Sequence, residues 1–313
     1  MNETDSELRK ILGQGLRSNI ILRDFVSIKV GGVADYFYSA TDIGSLTLAV
    51  SAAIKLKLPY FILGGGYNVI PSDLGYPGLV IRNESSNIAF SPDFSTVISD
   101  SGVNLGRLIN QAASHDLGGL EFLFGVPSTV GGAVYGNAGA FGHAIGDFVK
   151  SVTLLVEKDG SAVIVKHSPE WMNFSYRSSS LKVNFKDSMH KPVILTVTLQ
   201  LVQRRKDEIL RMMQSNSEMK KQSQPFGEKS AGSFFKNIGD GPEKSAGFLL
   251  DRAGAKKMRV GGAAFSKKHA NFLINRRNAT ATDVYNLAEK AKKIVKEKLG
   301  CDLEEEIEYI GKW

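Results

Sequence analysis

The chain of 313 residues is 42% hydrophobic and 23% charged, a balance that excludes a disordered or fibrous polymer and leaves room for two or three domains. Its formal charge of +7 and pI of about 9.3 favour anionic partners such as nucleotides, phosphates or nucleic acid without choosing among them. The single Cys301 excludes an internal disulfide, and five histidines without HxH or HExxH spacing give no expectation of a metal. No apolar run nears the ~18 residues of a membrane span, and the polar opening MNETDSELRKILGQGL is no signal peptide, so a cytoplasmic protein with no membrane partner is expected.

In chain order, residues 42–58 read as a helix with Leu46, Ala49, Val50, Ala53 and Ile54 on one face, followed by a short apolar strand at 60–63. Residues 79–81 and 96–99 read as strands. Residues 104–115 read as a helix with Asn104 as N-cap, a Leu108, Ile109, Ala112 stripe and Gly118 beyond its end. The middle is rich in β-branched residues: strands are predicted at 152–156, 162–165 and 193–202, with Asp159-Gly160 as a hairpin turn. Residues 206–221 form a charged amphipathic helix at a domain boundary. Val284, Leu287, Ala288, Ala291, Ile294, Val295 and Leu299 recur with helical period before Gly300 stops the last helix.

Two glycine-rich segments interrupt this pattern. Leu63-Gly64-Gly65-Gly66-Tyr67-Asn68 follows a strand, and bare backbone of this kind lets N–H groups approach an anion. It is neither G-x-G-x-x-G nor a Walker loop, and a triple glycine is also an ordinary turn. Residues 125–142, GVPSTVGGAVYGNAGAFG, lack the bulk to pack as an ordinary core. They form either a close helix crossing, a flexible loop, or a surface for a flat cofactor. Gly31-Gly32 adds a third point of close approach.

The ordered segments KVGGVADY, LGGGYN, GVPSTVGGAVYGNAGAFG, FSYRSSS, SAGSFFKN, VGGAAFSKKHANFLIN and LEEEIEYIG resemble the UDP-N-acetylenolpyruvoylglucosamine reductase (MurB) family, from about residue 25 to 311, in its shorter type II form. The resemblance implies an α+β protein. Residues 1–205 would be an FAD-binding domain of the vanillyl-alcohol-oxidase (PCMH) type in two lobes that meet near 83. Residues 206–313 would be a C-terminal α+β substrate-binding domain. It also implies FAD and NADPH as cofactors and UDP-N-acetylglucosamine enolpyruvate as substrate, with no nucleic acid and a monomer. Hydride would pass from reduced flavin to C3 and a proton from Ser233 to C2.

By the same resemblance Gly64, Gly65, Gly66, Tyr67, Asn68, Gly125, Pro127, Ser128, Thr129, Gly131, Gly132, Asn137, Ala138 and Gly139 contact FAD. Tyr176, Lys236 and Asn237 contact the substrate. Arg177, Ser233 and Glu306 are the catalytic residues. Their chemistry suits the roles: a guanidinium grips a carboxylate in a fork, and a serine hydroxyl, a weak acid, protonates a strong base formed beside it. Glu306 would sit beside the substrate carboxylate, where a raised pKa is expected, and Glu304 is the alternative within the same acidic run. Taken alone, Arg177 would read as a surface ion pair, Ser233 as a turn residue and the glutamates as a solvated face. Lys256, Lys257, Lys267 and Lys268 add a positive field.

The chain departs from the family pattern at Tyr67, where serine is usual, at Val33 and Ile238, where proline is usual, at Lys220, where arginine is usual, and at Glu308, an arginine in some members. Two other readings stay open. One is an FAD oxidoreductase acting on another substrate. The other is a non-catalytic nucleotide or nucleic-acid binder, although basic–aromatic interleaving is confined to Phe234-Phe235-Lys236.

Overall fold

The structure, a computed structural model, describes residues 3–93 and 95–313. Helix Ile43–Lys55 starts at a capping box, in which the Asp42 side chain accepts the Ser45 N–H at 2.7 Å and the Ser45 hydroxyl accepts the Asp42 N–H. It buries Leu46, Ala49, Val50, Ala53 and Ile54, the stripe its sequence presents. Strand Tyr60–Leu63 follows and pairs in parallel with Leu79–Arg82. Helix Leu105–Ser114 is capped by Asn104, whose side chain accepts the Arg107 N–H at 3.0 Å. Its stop comes earlier than Gly118: Asp116 takes the left-handed conformation, and Gly118 lies in a short strand.

A five-stranded antiparallel sheet has the order Ser161–His167, Val149–Lys158, Val193–Gln200, Thr96–Asp100, Ile88–Phe90. Asp159 and Gly160, both at positive φ, make its tight hairpin turn. The sheet is covered on both faces. Val152, Leu154, Val197 and Leu199 join one core cluster with the Leu105–Ser114 helix, while Leu155, Val193 and Leu195 join another with the Ile43–Lys55 helix. Strict alternation would put residues 193, 195, 197 and 199 on one face. A bulge separates them: Thr153 pairs with Thr196 and Leu154 with Ile194, leaving Leu195 as the extra residue. The Leu195 carbonyl then accepts the Ser101 N–H at 2.9 Å.

The C-terminal portion carries an antiparallel sheet of order Ser230–Ser233, Phe272–Asn275, Ala263–Phe265, Arg259–Val260. Helix Ala281–Leu299 buries Val284, Leu287, Ala288, Ala291 and Val295 and ends at Gly300, φ +69°. Strand Glu308–Ile310 pairs in parallel with Val69–Pro71. Asp73 closes the start of the long helix, accepting the N–H groups of Ala281 (2.8 Å) and Thr282 (2.9 Å) and the Thr282 hydroxyl. Asp73→Ala is expected to lower the stability of this portion by about 1–2 kcal/mol, read from the urea midpoint. An unchanged midpoint would mean water replaces the carboxylate without loss.

Contacts divide the chain into two units that are not consecutive in sequence. The segment ending at Ser18, Tyr36–Gly65 and Gly78–Met219 form the first, and Asn19–Asp35, Gly66–Pro77 and Lys220–Trp313 the second. The lobe boundary expected near 83 lies within the first unit, and the domain boundary expected near 205 lies shortly before its end at Met219. Residue 83 falls inside the first unit because the Ile43–Lys55 helix packs on Leu155, Val193 and Leu195. Most of helix Lys206–Ser223 also belongs there: Ile209 and Met213 are in its core, and Asn216 Nδ2 donates to the Glu121 carbonyl at 2.9 Å.

Candidate active site

In the first unit Gly64 meets the second glycine segment. A Cβ on Gly64 would lie 2.7 Å from Thr129 Oγ1, so glycine leaves the room that the Thr129 side chain occupies. Thr129 caps the short helix Val130–Tyr135, its hydroxyl accepting the Gly132 N–H at 3.2 Å. Val130 and Gly131 donate to the carbonyls of Val103 and Ser101, and a Cβ on Gly131 would meet Ser101 Cβ at 2.7 Å. The bulge at Leu195 thus carries Ser101, and Ser101 carries the glycine helix. Ser128 is fixed by its carbonyl, which accepts the Leu105 N–H. Gly125 sits at φ +80° beside exposed Pro127.

The first turn of that helix therefore spends its donors inside the protein. The Leu63–Asn68 loop does not. Among the described residues, none of the N–H groups of Gly64, Gly65, Gly66, Tyr67 and Asn68 donates to a protein acceptor, while the carbonyls of Gly66 and Asn68 accept from Ser27 and Glu308. A run of unspent donors on near-bare backbone fits a pyrophosphate. Gly31 and Gly32, a third point of close approach, meet protein instead: their Cβ atoms would strike Pro71 Cβ at 2.7 Å and the Asp73 carbonyl at 2.2 Å.

Arg177 lies at the tip of a turn closed by two hydrogen bonds between Ser175 and Ser178, both 3.1 Å. Its φ of +53° is rare for a non-glycine residue and costs ~1–2 kcal/mol, so the surroundings must impose it. Tyr176, half exposed, lies under the guanidinium at 5.5 Å. Asn137 is buried, and its amide is engaged by the Ser175 carbonyl and the Gly146 N–H. Ala138 and Gly139 continue from it, the Ala138 carbonyl accepting the Ile145 N–H.

The second unit brings Ser233 and Glu306 onto adjoining segments. Ser233 ends strand Ser230–Ser233 after a register shift at Gly232, φ +80°. The Glu306 N–H donates to the Phe234 carbonyl at 2.8 Å, and the Glu306 carbonyl accepts Asn68 Nδ2 at 3.1 Å. Asn271, unflagged by the sequence reading, pins this segment: its buried amide binds the N–H and carbonyl of Phe235 at 2.9 and 2.8 Å. Its one signal was an amide inside the apolar run Ala270–Ile274.

The acidic run divides by environment. Glu304 is solvated and paired with Lys236 Nζ at 2.5 Å. Burial raises the carboxyl of Glu305, which accepts the Tyr309 hydroxyl and faces Lys292 at 3.8 Å. Asn237 uses its side-chain oxygen on the Ala246 N–H at the start of helix Ala246–Ala253. Lys256 pairs with Asp251, and Lys268 donates to the Lys221 carbonyl. Val33 and Ile238, at proline positions of the family, are exposed, as is Tyr67.

Lys220 is only 5% exposed, and burial lowers its ammonium to about 8. Between about pH 8 and the ordinary 10.5 the unfolded chain holds a proton that the folded chain has released, so stability rises with pH across that window. Relative to Lys220→Met, the unfolding midpoint of the wild type is expected to climb from pH 8 to 10.5 and to run parallel below pH 8. Parallel curves throughout would mean the ammonium keeps its solvent.

No group of three or more His, Cys, Asp or Glu side chains is placed to hold a metal, and no helix is long and apolar enough to cross a membrane, among the described residues. A family profile for an FAD binding domain matches residues 34–166, and one for the UDP-N-acetylenolpyruvoylglucosamine reductase C-terminal domain matches 224–310. The UDP-N-acetylenolpyruvoylglucosamine reductase of Caldanaerobacter subterraneus is 35% identical over 97% of this chain and 97% of its own. That of Clostridium novyi is 35% identical over 99% of this chain and 97% of its own. The crystal structure of MurB from Thermus caldophilus superposes with a TM-score of 0.76 at 34% identity, covering 94% of this chain and 99% of that one.

The glycine scaffold and the profile over it define an FAD-binding oxidoreductase of α+β architecture, with a flavin domain of the vanillyl-alcohol-oxidase type and a distinct C-terminal domain. Within that class the chain belongs to the UDP-N-acetylenolpyruvoylglucosamine reductase, or MurB, family.

Proposed function

We propose that the chain reduces UDP-N-acetylglucosamine enolpyruvate to UDP-N-acetylmuramate with NADPH, in the cytoplasm, as a step of peptidoglycan precursor synthesis. The observation that carries this reading is the placement of Ser233 beside the Glu306 segment, inside the region matched by the reductase's own C-terminal profile. In this reading residues 1–205 hold FAD and residues 206–313 hold the UDP-sugar. Unspent N–H donors of Gly64–Asn68 take the pyrophosphate, and Gly125, Pro127, Ser128, Thr129, Gly131, Gly132 and Ala138 give the flavin a flat, small-residue wall.

Bound FAD would supply the hydride-transfer chemistry, relaying reducing equivalents from NADPH to C3 of the enolpyruvyl group. Negative charge then builds at C2 and spreads into the neighbouring carboxylate. Arg177 holds that carboxylate in a fork, which stabilises the charge as it forms. Ser233 gives its hydroxyl proton to C2, and Glu306 orders the polar groups around the carboxylate. Lys236 and Asn237 face the UDP-sugar, with Tyr176 packed beside the guanidinium.

The test is steady-state NADPH consumption that depends on the enolpyruvyl sugar, with a product heavier by two hydrogens. Run in heavy water, deuterium enters at C2 from the proton donor, and also at C3 because the hydrogen on N5 of reduced flavin exchanges with solvent before transfer. NADPH consumption that ignores this sugar but responds to another acceptor would replace the reading with a related flavin oxidoreductase.

A further inference from the structure

We propose that Asn137 is a positioning residue for Arg177, and that the absence of a side chain at Gly139 makes room for the guanidinium. This rests on the reading of Arg177 as the group that grips the substrate carboxylate.

The turn that presents Arg177 is minimal. Ser175 and Ser178 exchange two hydrogen bonds, and Tyr176 and Arg177 alone form its tip. The two hydrogen bonds of the turn accommodate a left-handed residue at its third position, at a cost when that residue is arginine. Further ties come from the glycine segment. Asn137 Nδ2 donates to the Ser175 carbonyl at 2.8 Å, and Asn137 Oδ1 accepts the Gly146 N–H at 3.0 Å, tying the turn to the start of the 3-10 segment Ile145–Phe148. On the other side of the turn, the Ser179 hydroxyl donates to the Tyr135 carbonyl at 2.7 Å. Asn137 is 6% exposed and itself sits at φ +45°, a conformation asparagine tolerates better than most residues. Its amide therefore works between two protein partners.

The guanidinium ends against Gly139. A Cβ there would lie 3.2 Å from Arg177 Nη1 and 2.6 Å from the His143 carbonyl. Residues 137–139 thus form a seat: an amide that anchors the base of the turn and a bare backbone under its charged tip. Fork-like recognition of a carboxylate needs such a seat, because a displacement of ~1 Å at a reacting group can cost on the order of 100-fold in rate.

The test uses the holoenzyme and Asn137→Gly, which keeps the positive φ and deletes both hydrogen bonds. Because Asn137 also stands among the residues expected to contact FAD, turnover is compared per bound flavin at saturating FAD, where kcat/KM for the enolpyruvyl sugar is expected to fall about tenfold or more. Calorimetric affinity of the oxidised holoenzyme for the sugar falls with it. In an Arg177→Met background the same substitution is expected to cost nothing further, because residues acting as a unit are non-additive. If Asn137→Gly does not fold, Asn137→Asp, which keeps the Gly146 bond and loses the donor to Ser175, carries the same comparison. Loss of FAD affinity with unchanged turnover per bound flavin would overturn the proposal, as would losses that multiply in the double variant. If Arg177→Met alone is silent, the reading of Arg177 falls and the proposal falls with it.

Discussion

Ser233→Ala is expected to bleach normally when NADPH is added and to stay bleached when UDP-N-acetylglucosamine enolpyruvate follows. A serine hydroxyl is too weak an acid to protonate carbon unless a strong base develops beside it, and the charge building at C2 is such a base. Removing the proton donor should slow the second half-reaction by ~10²–10⁴-fold. The first half-reaction needs no proton at C2 and should be untouched. Alanine fits the end of strand Ser230–Ser233, where the Phe234 backbone is held by Asn271 and Glu306 and not by the Ser233 side chain. Equal loss of both half-reactions would return Ser233 to a purely structural place.

Gly66→Ala is expected to give a protein that loses FAD and unfolds at much lower urea. The added Cβ would stand 2.2 Å from the Phe25 carbonyl oxygen and 3.0 Å from Val26 Cα, backbone atoms that cannot swing aside, and Gly66 holds φ +69°. Left-handed strain and the collision together should cost ~3 kcal/mol or more, placing the change among severe single substitutions. Gly160→Ala separates the two causes. Gly160 has φ +75° but nothing within 4 Å of its Cβ position, so that variant should lose only ~1 kcal/mol. If the two variants lose stability equally, conformation alone explains Gly66 and the close approach to Phe25 is not binding.

What the sequence made legible was local. Helices Ile43–Lys55, Leu105–Ser114 and Ala281–Leu299 carry their apolar stripe, and the second its Asn104 cap, within a few residues of one another. Strand Tyr60–Leu63 and the Asp159-Gly160 turn are equally short-range signals. What escaped is set by distant pairing. Nothing in VILTVTLQ shows that Leu195 is bulged, because the bulge is defined by its partner strand. Nothing near residues 66–77 shows that they join the C-terminal unit, because Val69–Pro71 finds its parallel partner at Glu308–Ile310.

The site was legible to the same degree. Ser233 and Glu306 came from ordered motifs, and the structure sets their segments side by side. Gly31 and Gly32 read as a point of close approach, and what approaches them is Pro71 and Asp73. A glycine reports close approach without reporting of what. The acidic run hid a division that only burial reveals: Glu304 solvated on Lys236, Glu305 buried on Tyr309 and Lys292. Asn137 and Asn271 were invisible as anchors because an amide's partners lie elsewhere in the chain.

The most direct test of the account is an anaerobic two-step flavin titration of the purified holoprotein. NADPH is expected to bleach the flavin absorbance, and UDP-N-acetylglucosamine enolpyruvate then to restore it, one equivalent for one. Bleaching without return would contradict the assigned substrate, and a protein that takes up no FAD would contradict the account as a whole.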